Sequence, residues 1–298
     1  MNFEVCTTWH KMGYKKYGDH FIQGICQNWP TEVNVSIYAE EHEPNTYNAK
    51  NIRVLDQHTT LPDLKAWQER HKDNDSAHGW NKDHSKKSFL WDASRFANKV
   101  YAIWHLVDNT DADVVIWCDG DVRTHSQITL EFLENMAPAA DELVTYLGRK
   151  TWPECGWMMF NTRHPDFEKF MSEWRWIYES DDIFNHDEYH DSFIFGELVI
   201  KFKANGTKVK DIGGPDASGH VFINSPLGAV MDHLKGFRKE LGRSNKSDLQ
   251  GNFAHTAEWW NDMRQVTKEQ IRQEKLKNPH EYDASQQQKS EGIKKWKS

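Results

Sequence analysis

Two acidic residues one position apart, Asp119 and Asp121, stand at the end of the apolar run Val114-Val115-Ile116-Trp117-Cys118. Asp-x-Asp alone says little. With 24 Asp in 298 residues, composition by itself yields roughly two such triplets. The chain has three, the others being Asp73/Asp75 and Asp111/Asp113. Context separates them. The run before Asp119 is apolar without alternation, as in a strand buried on both faces of a parallel sheet. Its carboxylates therefore emerge at the carboxyl end of that sheet, where open α/β folds bind ligands. Two carboxylates flanking a glycine that relaxes the backbone can approach one hard divalent cation from the same side. The plain alternative is a polar turn at a strand end.

A second segment with chemical potential is His233-Leu234-Lys235-Gly236-Phe237-Arg238-Lys239. It combines a ligand for a borderline metal, a glycine that admits a bulky anion, and a lysine to offset phosphate charge. Lys235 and Arg238 strengthen the local positive field, although a solvated basic helix end would read the same way. Together the two segments describe one site. A metal ion, Mn²⁺ or Mg²⁺, is held by Asp119, Asp121 and His233 and bridges a diphosphate that Gly236 and Lys239 also contact.

The elements that must position these residues follow from periodicity. Residues 3–9 and 33–38 read as strands, and residues 17–29 as a helix closed by Pro30. Residues 41–88 form a long polar excursion with one short helix near 64–70. Ser94 is placed to cap a helix carrying Phe96, Val100, Ile103, Trp104 and Val107 on one stripe. Further on, residues 128–136 read as a short helix, 143–147 and 157–161 as strands, and 165–178 and 188–201 as helices. Residues 205–228 hold seven glycines or prolines before a Lys/Arg-rich element at 233–246. Strands alternating with helices over the first 122 residues predict parallel pairing.

The order of these motifs, over roughly residues 3–240, resembles the GT-A-fold glycosyltransferases of the retaining, glycogenin-like kind (glycosyltransferase family 8 and its viral and bacterial relatives). The resemblance implies an α/β fold, a single Rossmann-like domain with a mostly parallel central sheet flanked by helices. It implies a nucleotide-binding half at 1–122, an acceptor and sugar-binding half at 123–250, and a C-terminal helical extension and polar tail at 251–298. It also implies a nucleotide-sugar donor, a UDP-sugar by preference, and transfer with retention. Thr7, Thr8 and Tyr17 fall where such proteins hold the base. Lys99, in Lys99-Val-Tyr-Ala-Ile-Trp104, matches the helix whose lysine reaches the donor, and Arg95 lies one turn earlier on the same face. Glu154-Cys155-Gly156 resembles the strand lining the sugar pocket, with Glu-Cys-Gly in place of the family's Asn-Ala/Ser-Gly. His190-Asp191-Ser192 stands where the family has Asp-Gln-Asp. Asp191 or Glu154 would then stabilise an oxocarbenium-like centre, unless either is an ordinary surface or capping carboxylate. The resemblance extends to transferases of tailed bacteriophages, some of which modify hydroxymethylated DNA bases, so the acceptor is a glycan or, less favoured, such a base.

Composition sets outer limits. The chain carries 37 Lys and Arg against 45 Asp and Glu, a formal net charge of −8. That balance excludes a general nucleic-acid coat or basic membrane-surface protein, which need a cationic field. A face of Lys201, Lys203, Lys208, Lys210, Lys235, Arg238, Lys239, Arg243 and Lys246 could still supply a local one. Cys6, Cys26, Cys118 and Cys155 form no C-x-x-C pair and read as reduced, buried thiols. No signal-peptide pattern opens the chain, and no apolar run approaches a membrane span. These features predict a cytoplasmic protein, and the resemblance implies that of a bacterium or a phage-infected cell. Of the fourteen Trp, Trp9, Trp104 and Trp117 read as core. Trp80, Trp91, Trp152, Trp259 and Trp260 lie in polar contexts, where indoles either stack on sugars or bases or pack half-buried. Competing readings are a metal-dependent phosphohydrolase, which would use acidic pairs and His in two-metal chemistry, and a non-catalytic glycan-binding protein.

Overall fold

The computed structural model describes residues 1–214, 216–236, 238–250, 257–261, 263, 269–270 and 273. The extension and tail expected at 251–298 therefore lie mostly outside the described residues. In chain order the strands are β1 (Phe3–His10), β2 (Asn34–Glu40), β3 (Ile52–Asp56), β4 (Val114–Cys118), β5 (Val122–Thr124), β6 (Glu142–Leu147), β7 (Glu154–Asn161), β8 (Lys208–Asp211) and β9 (Met231–His233). The helices are α1 (Lys11–Gly13), α2 (Asp19–Asn28), α3 (Gln57–Thr60), α4 (Pro62–Arg70), α5 (Ala93–Asp108), α6 (Leu130–Met136), α7 (Phe167–Glu179), α8 (Asp191–Ala204) and α9 (Arg238–Leu241). Among the described residues, no helix is long and apolar enough to cross a membrane.

A seven-stranded sheet runs β3-β2-β1-β4-β7-β6-β8. All neighbours pair in parallel except those of β7, which is antiparallel to β4 and β6. The α/β architecture with a mostly parallel sheet flanked by helices is thus the one the sequence predicts. β4 lies at its centre and is buried along its whole length. Its side chains alternate between two cores, as a doubly covered strand requires. Val115 and Trp117 face α4, α5, α7 and α8, whereas Val114, Ile116 and Cys118 face α2 and α6.

Several expectations need correction. The polar excursion at 41–88 contains a third parallel strand, β3, whose half-buried edge position hides it from a search for apolar runs. The Gly- and Pro-rich stretch contributes the other edge strand, β8, for the same reason. Asp92, not Ser94, caps α5, accepting from Arg95 N at 3.2 Å. His190 caps α8, so that helix begins at Asp191 rather than 188. The basic element at 233–246 is a strand end, a single turn and loop. Cys26 is exposed, while the other three cysteines are buried.

The face of the sheet covered by α5, α7 and α8 is an aromatic lattice. Trp174 packs against Trp104, Phe160, Phe170 and Phe195 with ring centroids 5.8–6.2 Å apart, and it is completely buried. Its truncation leaves a cavity that close-packed neighbours fill poorly. Trp174→Ala is expected to cost about 3–5 kcal/mol in urea unfolding; a loss below about 1 kcal/mol would show that this layer is not packed as described.

Candidate active site

Chemistry converges where β4 ends. Asp119 N donates to Gly156 O at 2.9 Å and Val122 N to Asp119 O at 3.0 Å, which turns the chain from β4 into β5. β5 pairs antiparallel with β9, placing Val122 opposite His233. This two-stranded ribbon carries the histidine to the acidic pair. His233 Nε2 lies 3.0 Å from Asp121 Oδ1 and 3.5 Å from Asp119 Oδ2. One ligand atom from each of the three lies within 4.8 Å of the other two. Two carboxylate oxygens and an imidazole nitrogen suit a hard-to-borderline divalent ion such as Mn²⁺ or Mg²⁺.

Two glycines make room for this arrangement. A Cβ at Gly120 would stand 2.6 Å from the Trp9 ring, and Gly120 does not adopt a positive φ. The glycine between the aspartates therefore accommodates Trp9 rather than relaxing the backbone. A Cβ at Gly156 would stand 2.4 Å from His233 Cε1, closer than any real contact. Gly236, by contrast, has φ of 56°, a left-handed conformation in which glycine is favoured.

Cations offset the carboxylates from both sides. Lys99, nearly buried on α5, places Nζ 3.2 Å from Asp119 Oδ1 and 2.6 Å from Asp191 Oδ2. It also donates to Cys155 O at 2.5 Å and sits 4.8 Å from the centre of the Trp117 ring. Lys239 Nζ lies 3.1 Å from Asp121 Oδ2 and 5.0 Å from the centre of the Tyr17 ring. Burial raises the Asp121 pKa, but Lys239 and His233 outweigh it and hold the carboxyl far below the ordinary range. Burial alone would depress His233; Asp121 and Glu154 outweigh it and lift the imidazole to about 9. Without a metal, His233 is thus a cation that helps neutralise the cluster.

Several of the expected site residues are engaged by neighbouring side chains. Glu154 does not face the acidic pair. It is buried behind His233, with Oε1 3.5 Å from His233 Nδ1, and its other oxygen pairs with Lys235. Arg149 Nη1 lies 3.8 Å from Glu154 Oε2. Burial raises the Glu154 pKa, but Lys235 and His233 outweigh it and keep the group ionised. A carboxylate at this distance supports the imidazole by charge and leaves its other nitrogen facing forward, since His233 Nδ1 has no hydrogen-bond partner among the described residues. Asp191 is brought to the site, at the first turn of α8, but it is joined to Asp119 through Lys99. Lys99 in turn is fully engaged by these partners rather than extended toward open space.

Of the residues expected around a base, Thr7 is buried and Thr8 Oγ1 is committed. It donates to Tyr38 O at 2.7 Å and accepts from Gln57 Nε2 at 3.0 Å. Tyr17, in the π-helical turn Tyr14–Gly18, does reach the site through Lys239, and burial, then Asp121, raises its hydroxyl pKa. Arg95 is exposed one turn before Lys99, and its charge is felt at Tyr17 and His10. Trp117 was legible only as core, yet its indole N–H donates to Asp119 Oδ1 at 2.6 Å. The signal was period-two alternation, which puts residues 117 and 119 on one face. Lys235 was legible as charge, but its pairing with Glu154 was not.

Five members of the expected basic face are ion-paired within the protein. Lys235, Arg238 and Lys239 pair with Glu154, Asp248 and Asp121, while Lys201 and Lys208 pair with Glu173 and Asp141. Nor are all the polar-context tryptophans available: Trp91 and Trp260 are buried, and Trp152 packs against His190 at 4.9 Å.

No family model and no curated protein matches the sequence. Among solved structures, the chain is similar to the apo form of mouse xyloside xylosyltransferase 1, at 10% identity and TM-score 0.44, over 72% of this chain and 86% of that one. It is also similar to the galactosyltransferase LgtC in complex with donor and acceptor sugar analogs, at 14% identity and TM-score 0.39, covering 65% and 70%. The apo glycosyltransferase GlyE of Streptococcus pneumoniae TIGR4 is similar at 10% identity and TM-score 0.39, covering 70% of this chain and 45% of its own.

The geometry behind His233 gives a direct test by metal titration. Gly156→Ala displaces the imidazole, and Glu154→Gln removes its charged support. Calorimetric Mn²⁺ affinity is expected to fall about 10–100-fold in each variant, with the fold retained by circular dichroism. Unchanged affinity in both would remove His233 from the ligand set.

Proposed function

We propose that the protein is a metal-dependent glycosyltransferase that moves a sugar from a nucleotide-sugar donor, with a UDP-sugar favoured, to an acceptor. One observation carries the reading: Asp119, Asp121, His233 and Lys239 come from segments more than 110 residues apart in sequence and meet at the carboxyl end of the central strand. A divalent ion held by Asp119, Asp121 and His233 would supply Lewis-acid stabilisation of a leaving diphosphate. The remaining work belongs to the chain. Lys239, now offset against Asp121, is the group nearest the carboxylates that can turn to an anion. Gly236, in its left-handed turn, presents backbone unobstructed by a side chain. Such preorganised charge acts where charge develops during departure of a nucleoside diphosphate.

Tyr17 and Arg95 flank the same mouth and are assigned to the nucleotide. Lys99 is assigned to orientation, since it fixes Asp119 and Asp191 together. Asp191 is the carboxylate retained as the candidate to stabilise an oxocarbenium-like centre, with retention of configuration. The sequence resemblance supports a glycan acceptor, with a hydroxymethylated DNA base as the less favoured alternative, and action in the cytoplasm. In this reading residues 1–122 supply the nucleotide half and 123–250 the acceptor half of one domain. Two-metal phosphohydrolysis is less well supported, because one cluster of three potential ligands occurs among the described residues.

The test is Mn²⁺-dependent release of nucleoside diphosphate from a panel of UDP-, GDP- and CDP-sugars. Asp121→Asn and His233→Ala are each expected to reduce turnover at least about 100-fold, or roughly 3 kcal/mol of barrier. Full activity in both variants, or release of inorganic phosphate from non-sugar esters instead, would overturn the assignment.

A further inference from the structure

The ribbon that carries His233 has a second face. Cross-strand partners share a face and successive residues alternate, so Val122 and His233 point one way while Arg123 and Asp232 point the other. On that far face three elements meet over one indole. The Arg123 and Arg243 guanidinium carbons lie 5.0 Å and 4.6 Å from the Trp259 ring centre. The His125 ring stacks nearly parallel to it, with centroids 5.2 Å apart.

Charge at this face is unevenly satisfied. Arg123 makes one long hydrogen bond, to Gly242 O at 3.5 Å, and Arg243 makes one, to Trp259 O at 3.3 Å. Neither has a carboxylate ion pair among the described residues, where Lys201, Lys208, Lys235, Arg238 and Lys239 all have one. Asp232, the acid whose charge is felt at Arg123, is spent elsewhere. Its oxygens accept from Ser244 N at 2.7 Å, Ser244 Oγ at 2.6 Å and Trp259 Nε1 at 3.1 Å. Two guanidiniums are therefore held near each other, and burial together with that proximity works against the charge on Arg123.

We propose that Arg123 and Arg243 form an anion site for a phosphate group, on the opposite face of the β5–β9 ribbon from the metal-ligand cluster. Each guanidinium offers five N–H donors in a planar fork. A single carboxylate, with two oxygens, saturates one such fork, whereas a phosphate has enough oxygens to engage two. Trp259 lies against both guanidinium groups, and apart from one carbonyl bond each their N–H donors remain for a ligand. The assignment is independent of what binds at Asp119, Asp121 and His233. The phosphate could be free or attached to a sugar.

Calorimetric titration at low ionic strength, in the presence of EDTA so that bound metal recruits no phosphate, decides the matter. The probes are inorganic phosphate and a hexose 6-phosphate. Wild-type protein is expected to bind at least one. Arg123→Gln and Arg243→Gln should each weaken that binding about tenfold or more, equivalent to 1.4 kcal/mol, while Lys239→Gln leaves it unchanged. Arg243→Lys keeps the charge but loses the fork, and should also weaken it; an unaltered melting curve for that variant confirms an intact fold. Equal affinity for both probes assigns the site to phosphate alone, and tighter binding of the hexose phosphate assigns it to a phosphorylated sugar. The proposal falls if neither probe binds, if the arginine variants bind as wild type does, or if Lys239→Gln is the variant that abolishes binding.

Discussion

The rest of this structure depends on compensating buried carboxylates at the end of β4. Asp121, Glu154 and Asp191 are largely removed from water, and Asp119 stands beside them half-exposed. Isolated, Asp121, Glu154 and Asp191 would be driven toward the neutral acid. These three remain ionised because Lys99, Lys235, Lys239, Arg149 and the His233 imidazolium are placed among them. Such clusters are weak contributors to net stability, because desolvation offsets much of the attraction. Their geometry must be held by something else. Here the two apolar cores on either side of the sheet hold it, and the strands project the charged groups past their edges.

This division of labour explains why the site is assembled from distant segments. β4 cannot bend back to supply a third group of its own, and β7 is committed to the core at Cys155 and from Trp157 to Phe160. The ribbon β5–β9 solves the problem with three residue pairs. It is short, and its position is fixed from the far side by Asp232, which gathers Ser244 and Trp259. Glu154 then stands behind the ring of His233, 3.5 Å from Nδ1, and Gly156 leaves the volume for it. A histidine held beside two aspartates in this setting is the product of four elements acting together.

What sequence could reveal follows the same logic. β4, α5 and the aspartates were legible because a fully buried strand and a one-sided helix each impose a strong periodic pattern. β3 and β8 were not, since edge strands with half-buried residues impose none. The grouping of Asp119, Asp121 and His233 could be read from residue types and order. The role of Glu154 could not, because a carboxylate facing a sugar and one supporting a histidine have the same one-letter code. Only the side on which Gly156 leaves space distinguishes them. Gly120 misled for a related reason: glycine marks either backbone freedom or the presence of a neighbour, and here the neighbour is Trp9.

The surplus of tryptophan acquires a structural meaning on these terms. Trp9 fills the space over Gly120, Trp117 orients Asp119 and flanks Lys99, and Trp29 donates to Thr124 Oγ1 at 2.9 Å at the root of the ribbon. Trp259 and Trp260 brace the ribbon from its far side, Trp259 through Asp232 and Trp260 through Gly228 O at 2.9 Å. An indole joins a large apolar surface to one hydrogen-bond donor, which is what a boundary between core and buried charge demands. Leucine would fill the volume but leave carboxylate and carbonyl oxygens unpaired, and lysine would satisfy the charge without filling the volume. The indole N–H groups of Trp29, Trp117, Trp259 and Trp260 therefore serve polar partners around β4, β5 and β9. Those of Trp9, Trp104, Trp157 and Trp174 are buried without a hydrogen-bond partner among the described residues, so only part of the surplus answers this demand.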